Sequence, residues 1–220
     1  MTKEEAKFLK DILDAMTDIP FFNKEDIIAE LTKDAPEKES EWVELGTLED
    51  GDKFQWNGYT LTVLDKNYTE GGVFVLTDEI IENRKFHDED CEACNNWHTS
   101  TLREYLHKEF FEGLDDIDMI LPFDRDLTSD DGLKDYGTCI DEVSLLTCDE
   151  YRKYRKFIDN KNDWWWTITP YSAPHSGNSH CARYVYTDGS LNDGGAFTGS
   201  RGVSPAYVLL SSSKVRRVSK

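Results

Sequence analysis

The stretch DWWWTITPYSAPHSGNSHCARYVYTDGSLNDGG, residues 163–195, decides how the fold is interpreted. Three adjacent tryptophans, Trp164, Trp165 and Trp166, precede a run that is rich in proline, glycine and small polar residues. A β-strand directs successive side chains to opposite faces, so Trp164 and Trp166 are predicted to share one face and Trp165 the other. Two interpretations stay open: all three indoles pack in the core, or one of them lines a ligand surface beneath the loops that follow.

The composition describes a chain that can build a core and that carries a large negative charge. Of the 220 residues, 38% are hydrophobic and 12% aromatic, which is enough apolar material for one large domain. The formal net charge of −19 disfavours nucleic acid and anionic membranes as the main partner, because like charges repel. Good solubility, or binding to a basic protein surface, agrees better with this charge.

The sequence shows neither an export signal nor a membrane span. The first residues, MTKEEAKFLKDILDAM, are charged and amphipathic and lack the continuous apolar region of a signal peptide. No apolar run reaches the length needed to cross a bilayer. The five cysteines form an odd, irregularly spaced set that is typical of reduced thiols. These features predict a protein of the host-cell cytoplasm or of a phage particle.

The apolar period divides the chain into two parts. Residues 1–40 show helical spacing followed by a polar linker, which predicts an N-terminal helical appendage. From Trp42 onward the apolar residues alternate instead, as in strands. We therefore predict a single larger domain over residues 41–220.

Local patterns predict the elements of this domain. Asn57-Gly58 lies between two alternating apolar runs, which indicates a β-hairpin. A helix is predicted to begin with a cap at Thr101. The acidic stretch 124–137 is predicted to be a loop, and VSPAYVLL, residues 203–210, a strand. Strands at both ends with helices between them place the domain in the α+β class.

Several longer motifs follow one another in a characteristic order. They are G-D-x5-G-Y-x-L-x-V-L-D from Gly51, N-W-x2-S-x-L-R-x-Y-L from Asn96, D-x-V-x-L-L-T-x2-E from Asp141, the tryptophan run, Y-V-x2-D-G-S-L from Tyr184 and G-V-x-P-A from Gly202. Together they resemble a widespread bacterial and phage domain of unknown function, over roughly residues 42–212.

The resemblance implies a C-type-lectin-like fold, because that domain is similar to formylglycine-generating enzymes and to the variable proteins of diversity-generating retroelements. Two arginines of the family pattern are missing, one after the tryptophans and one at Ser204. Both changes remove cations and weaken the expectation of an anion-binding role in this region. The catalytic cysteine pair of the formylglycine-generating branch has no match, so no enzyme activity is carried over.

The C-terminal loops have the composition of an adaptable recognition surface. Tyr, Asn, Ser and Gly combine aromatic contact area with flexible hydrogen bonding. We predict that a protein or a glycan is bound by Trp165, Tyr171, His175, Asn178, His180, Tyr184, Asn192 and Phe197.

A candidate metal site lies in KFHDEDCEACNNWH, residues 85–98. His87, Cys91, Cys94 and His98 have the spacing H-x3-C-x2-C-x3-H, and two thiolates with two imidazoles can complete a tetrahedral structural zinc site. The alternative is a reduced surface loop without metal. No other cofactor is expected.

Three functions stay open. The leading hypothesis is a non-catalytic binding protein of phage or prophage origin that uses the C-terminal loops. The second is an acidic intracellular inhibitor that occupies a basic site on a nucleic-acid-processing enzyme. An enzyme derived from the formylglycine-generating branch is the third, and the missing cysteine pair disfavours it. The dependence of affinity on salt distinguishes the first two functions, because binding through charge weakens steeply with ionic strength.

Overall fold

The computed structural model describes residues 41–218, so the helices and linker predicted for residues 1–40 lie outside the described part. The boundary at residue 40 stays a prediction. Within the described part the chain is mostly β-sheet with two short α-helices, which agrees with the α+β class. No helix in residues 41–218 is both long and apolar enough to cross a bilayer.

Two sheets contain most of the strands. Sheet 1 consists of β1 (Trp42–Glu44), β2 (Lys53–Trp56), β3 (Tyr59–Thr69), β4 (Gly72–Thr77), β6 (Ile120–Leu121), β9 (Val143–Ser144), β14 (Ala206–Leu210) and β15 (Lys214–Arg217). Sheet 2 consists of β5 (Glu82–Arg84), β10 (Trp165–Pro170), β11 (Cys181–Val185), β12 (Leu191–Gly195) and β13 (Arg201–Val203). The order in sheet 1 is β1-β15-β2-β3-β4-β14-β6 with β9 beside β14, and in sheet 2 it is β12-β11-β10-β13-β5.

The remaining elements are a two-stranded ribbon and short helices. The ribbon pairs β7 (Phe123–Asp126) with β8 (Thr138–Asp141). The helices are α1 (Thr101–Tyr105) and α2 (Cys148–Tyr154). Helix α1 continues through a π-helical turn, Leu106–Phe110, and a 3-10 turn that ends at Gly113. Further 3-10 turns cover Leu45–Thr47, Trp97–Thr99, Ile117–Met119, Arg155–Phe157 and Pro174–Ser176.

The predicted hairpin at Asn57-Gly58 is confirmed. Both residues have positive φ, 51° and 79°, which is the requirement of a type I′ turn between β2 and β3. The Asn57 side chain also accepts from the Asp115 amide at 2.7 Å and donates to the Asp115 carbonyl at 2.8 Å. The turn residue therefore fixes a distant loop as well as its own hairpin.

The helix cap lies one residue earlier than predicted. The Ser100 hydroxyl accepts from the Arg103 amide at 3.1 Å and so caps α1. Thr101, the predicted cap, instead accepts from the Asp88 amide at 3.0 Å. Thr101 therefore joins α1 to the segment that contains Cys91 and Cys94.

Two predicted stretches are divided differently in the structure. The first three residues of the acidic stretch 124–137 belong to β7. In this strand Phe123 and Arg125 point inward, whereas Asp124 and Asp126 point outward. Residues 203–210 do not form one strand. The chain leaves sheet 2 at Val203, passes Ser204 and Pro205, and enters sheet 1 as β14.

The tryptophan run divides between two buried clusters. Trp166 packs edge-to-face on Phe86 at 5.6 Å between ring centroids, in the larger cluster. Trp165 packs edge-to-face on Tyr151 of α2 at 5.6 Å, in the smaller one. The side chains of these consecutive residues of β10 thus point to opposite faces of sheet 2, which is the predicted alternation.

Candidate functional site

The tryptophans differ sharply in exposure. Trp164 is 38% exposed, whereas Trp165 and Trp166 are 1% and 0% exposed. Trp164 and Trp166 both contact Tyr184, so they share a face as predicted. The predicted ligand residue Trp165 instead lies in the core, because the strand turns its side chain toward α2. Among the three adjacent tryptophans, the indole that reaches solvent is that of Trp164.

Trp164 belongs to a surface cluster with Tyr184, Tyr186 and Arg201, which we call the aromatic–arginine patch. The Trp164 ring stacks on Tyr184 at 5.7 Å and 20°, and meets Tyr186 edge-on at 4.6 Å. Tyr184 and Tyr186 also pack against each other at 5.3 Å. Offset-stacked and edge-to-face pairs are the favoured aromatic geometries, so the rings hold one another in place.

The Arg201 guanidinium completes the patch. Its central carbon lies 4.4 Å from the Tyr184 ring centroid, 4.8 Å from that of Trp166 and 5.6 Å from that of Trp164. None of the carboxylates in residues 41–218 forms an ion pair with it, and its Nε atom is buried without a hydrogen-bond partner. Its Nη1 atom donates to the Ser200 carbonyl at 3.4 Å, so an incoming anion would have to be bound by the terminal Nη nitrogens, because Nε is buried.

Backbone pairing in sheet 2 positions the patch. The Gly202 amide donates to the Trp164 carbonyl at 2.6 Å, which places Arg201 beside the indole. A Cβ at Gly194 would lie 2.6 Å from Arg201 Nη2 and 3.1 Å from the Tyr184 ring, so a side chain at this position would displace the Arg201 guanidinium. Asn192 is the direct partner of Tyr184 across β11 and β12, and lies on the same sheet face.

A second region is an open hollow of about 350 Å³ below the loop after β10. It is lined by Asp130, Asp131, Tyr171, Ser172, Ser176 and Asn178. Tyr171 is 38% exposed, and the Arg183 guanidinium lies 5.9 Å from its ring centroid. The hollow therefore brings together two of the predicted binding residues, Tyr171 and Asn178.

The acidic groups of this hollow have partners within the protein. Asp130 contacts Arg152 at 3.1 Å and Arg183 at 3.6 Å. Asp131 accepts from the Ser129 and Ser172 hydroxyls, each at 2.5 Å, and these bonds lower its pKa. The charge of the hollow is therefore largely compensated locally.

The other predicted binding residues are scattered. His175 is exposed, with Nδ1 2.8 Å from Asp135 Oδ2, and its hydrogen bond lowers the pKa of Asp135. His180 lies apart, beside Cys94. Phe197 is half-buried against the larger cluster, and Tyr184 is buried beneath Trp164. The eight residues therefore do not form a single surface.

The predicted zinc tetrad is not assembled either. Within residues 41–218, the group of three potential ligands found within 4.8 Å of one another is Asp90, Cys94 and His180, without His87 or His98. His87 Nδ1 instead accepts from the Glu89 amide at 3.4 Å, and His98 lies within a separate 3-10 turn, Trp97–Thr99. Cys94 is buried, and burial raises its thiol pKa to about 11.

Asp141 forms a closed polar centre between α1 and the ribbon. Its carboxylate is fully buried and accepts from Trp97 Nε1 at 2.7 Å and Arg103 Nε at 2.8 Å. His107 Nε2 lies 3.3 Å away. Such a satisfied, enclosed group stabilises the fold and offers no oxygen to a ligand.

Sequence reasoning missed Tyr186 and Arg201 as site residues. Arg201 stands in a tail where no acidic residue follows Asp193, and this asymmetry indicates a cation without a local counter-charge. Tyr186 lies within the Y-V-x2-D-G-S-L motif, two residues after Tyr184, and so reaches the same sheet face.

The comparisons with known proteins identify a family without describing an activity. A family model described as "Domain of unknown function (DUF6273)" matches residues 70–211, more than half of the chain. No curated protein and no solved structure matches the chain.

Proposed function

Because the chain belongs to the DUF6273 family of domains of unknown function, we propose its role from the site itself: it is a non-catalytic binding domain. In this proposal the aromatic–arginine patch recognises a protein partner. The C-type-lectin-like fold and the phage or prophage origin are parts of the proposal that rest on the order of the sequence motifs.

The observation that carries the proposal is the exposed, immobilised indole of Trp164. Its stacking partner Tyr184 is buried and packs in turn on buried Trp166, so the platform is anchored in a β-sheet core. A large ring that is already ordered loses little conformational entropy on binding. Tryptophan, tyrosine and arginine are also the residues most enriched at energetically dominant positions of protein interfaces.

Arg201 adds a chemical requirement on the partner. Its guanidinium lies over the buried rings and has no carboxylate partner in the described part of the chain. A carboxylate or a backbone carbonyl on the partner would accept from the terminal Nη nitrogens of this guanidinium. The partner is therefore expected to present an acidic or carbonyl group next to an apolar one.

The acidic-inhibitor function receives less support from the geometry. Asp130 at the hollow is paired with Arg152 and Arg183, and nearby Glu150 forms a bidentate pair with buried Arg125 at 2.6–2.7 Å. Paired carboxylates attract a basic partner less strongly than free ones. This function would be favoured if affinity fell steeply with added salt.

The experiment compares Trp164→Ala with a matched control, Trp42→Ala. Trp42 is also an exposed tryptophan, 65% accessible, but it lies on β1 of the other sheet. The full chain and both variants are immobilised, proteins retained from host lysate are identified, and the affinity for each is measured by calorimetry. We expect Trp164→Ala to weaken binding by about 30-fold, equivalent to about 2 kcal/mol, and Trp42→Ala to leave it unchanged.

Equal affinity of the Trp164→Ala variant and the unchanged chain would overturn the proposal. A glycan array probed with the same three proteins provides the second arm. Glycan binding that disappears in Trp164→Ala, without a protein partner of the same dependence, would assign the patch to carbohydrate recognition instead.

A further inference from the structure

Asp90, Cys94 and His180 converge from two distant parts of the sequence. Cys94 Sγ lies 3.7 Å from His180 Nδ1 and 3.8 Å from Asp90 Oδ1. His180 Nδ1 and Asp90 Oδ1 are 3.9 Å apart. The three atoms therefore form a nearly equilateral triangle.

This triangle has the size of one face of a tetrahedral zinc site. Bonds of about 2.3 Å to sulfur and about 2.0–2.2 Å to nitrogen and oxygen, at tetrahedral angles, place the ligand atoms roughly 3.4–3.6 Å apart. The observed separations exceed these values by only a few tenths of an ångström. Small side-chain rotations would bring all three atoms to bonding distance of a common ion.

The same residue types can form a cysteine–histidine–aspartate catalytic triad, but the geometry differs. In a triad the nucleophile and the carboxylate contact opposite nitrogens of the imidazole, so that one nitrogen takes the nucleophile's proton while the carboxylate orients the ring through the other. Here both the thiol and the carboxylate lie next to the same atom, Nδ1. Convergence on one point is the arrangement of metal ligands.

Hydrogen bonds hold the two segments together independently of any ion. Asn95 donates through its side chain to the carbonyls of Ser172 and Cys181, at 2.9 and 2.8 Å. Its backbone amide donates to the Ser179 carbonyl at 3.2 Å, and the Ser179 hydroxyl donates to the Glu92 carbonyl. The ligands on both sides of this contact are therefore pre-positioned, which reduces the entropic cost of binding an ion.

The Cys94 thiol donates to the Cys91 carbonyl at 2.7 Å, and a bound metal would replace this thiol proton. The Cys91 amide donates to Cys94 Sγ at 3.0 Å, a bond that would stabilise negative charge on sulfur. The sulfur is buried, whereas the Asp90 and His180 side chains are 69% and 48% exposed, so an ion can enter from solvent. Water can supply the fourth ligand, because the Asp90 and His180 side chains reach solvent.

We propose that Asp90, Cys94 and His180 bind one zinc-type divalent ion, which links the segment before α1 to the loop before β11. Binding releases the Cys94 thiol proton and forms a metal–thiolate bond. Cys94 is also a member of the tetrad that the sequence predicts. The histidine differs, because His180, from the far end of the chain, takes the place of His87 and His98.

Cobalt(II) titration of the full chain, purified in chelator and then desalted, tests the site. One equivalent should bind and produce a thiolate-to-cobalt charge-transfer band, which zinc then displaces. Cys94→Ser should abolish the band. His180→Gln should weaken binding by more than about 100-fold, because even residues that only support a ligand cost 10- to 100-fold. The matched control His98→Gln should bind like the unchanged chain.

His180 is exposed, so His180→Gln keeps the assay informative if Cys94→Ser does not fold. Absence of stoichiometric binding, or binding without the charge-transfer band, would overturn the proposal. So would a loss of binding in His98→Gln that is not seen in His180→Gln, since this result would restore the local tetrad.

Discussion

Trp97 donates its indole N–H to the carboxylate of Asp141 at 2.7 Å, and neither side chain is accessible to solvent. The bond joins the N-W motif before α1 to the end of β8 and brings a full charge into the interior. Arg103 approaches the other carboxylate oxygen at 2.8 Å and neutralises that charge. A buried charge with a complete set of partners stabilises only while every partner remains.

Asp141→Asn should therefore destabilise the domain strongly. The change removes the charge opposite Arg103 and places an N–H group where Trp97 and Arg103 donate. We expect a loss of about 3 kcal/mol in the free energy of unfolding, measured by urea titration. Asp118→Asn, an exposed aspartate, is the control and should stay within about 0.5 kcal/mol of the unchanged chain. Similar stabilities for both variants would contradict the role of Asp141.

The buried Asp141 carboxylate also predicts how the stability of the domain depends on pH. Burial acts to raise the pKa of Asp141, but the contacts from His107, Trp97 and Arg103 outweigh it and hold the pKa well below its usual range. The contribution of Asp141 to the free energy of unfolding is therefore complete above the unfolded-state pKa of about 3.9, and it is lost as the pH falls below that value. Urea melts between pH 6 and pH 3 should show a smaller decline for Asp141→Asn than for the unchanged chain. Parallel declines would assign the acid sensitivity to other carboxylates.

Trp165→Ala and Trp164→Ala should separate stability from binding. The first removes a fully buried indole and leaves a cavity, at a cost of about 3–5 kcal/mol. The second removes a ring that is 38% exposed and forms two aromatic pairs, so it should cost less, about 1–3 kcal/mol at about 0.5–1.5 kcal/mol per pair. Thermal and urea melts of the two variants measure the difference. A larger loss of stability in Trp164→Ala would show that the patch is structural.

The loop after β10 should contribute little to stability. In the metal-free chain, replacing His175, Asn178 and His180 together by alanine is expected to cost at most about 0.5 kcal/mol per site, because all three are exposed. The affinity of this variant for the captured partner determines whether the recognition surface extends beyond the aromatic–arginine patch. A variant that unfolds in the urea melt would show instead that these side chains hold the loop.

Residues 1–40 should be dispensable for folding of the domain. A chain that starts near Ser40 retains all the strands of both sheets and the two buried clusters of residues 41–218. We expect it to be soluble and to melt in one cooperative transition, observed by circular dichroism. An insoluble or gradually melting product would mean that the N-terminal segment completes the core.

The sequence predicts those parts of the fold that depend on local chemistry. Asn57-Gly58 specifies its hairpin because few residue pairs adopt positive φ at two successive positions. Period-two alternation assigns the three tryptophans to their sheet faces, although it does not show which face is covered. Trp165 is buried because α2 lies on its side of the sheet, and this packing is determined 14 residues away at Tyr151.

The candidate sites depend on long-range pairing that local patterns do not specify. Cys94 meets His180 only because residues 91–95 dock on the loop between β10 and β11. A histidine close in sequence, His98, satisfies the spacing rule but points elsewhere. Arg125 is a further example: it lies in an acidic, loop-like stretch, yet it is 1% exposed and paired with Glu150 from α2.

The pairing of β1 with β15 has a consequence for how this domain can be combined with others. Trp42 and Arg216 are direct partners, so the two ends of the described chain leave the same sheet edge only about 5 Å apart. A domain with adjacent ends can be inserted into a surface loop of an unrelated protein without stretching its host. It can also be circularly permuted by joining these ends with a short linker and opening the chain at another exposed turn.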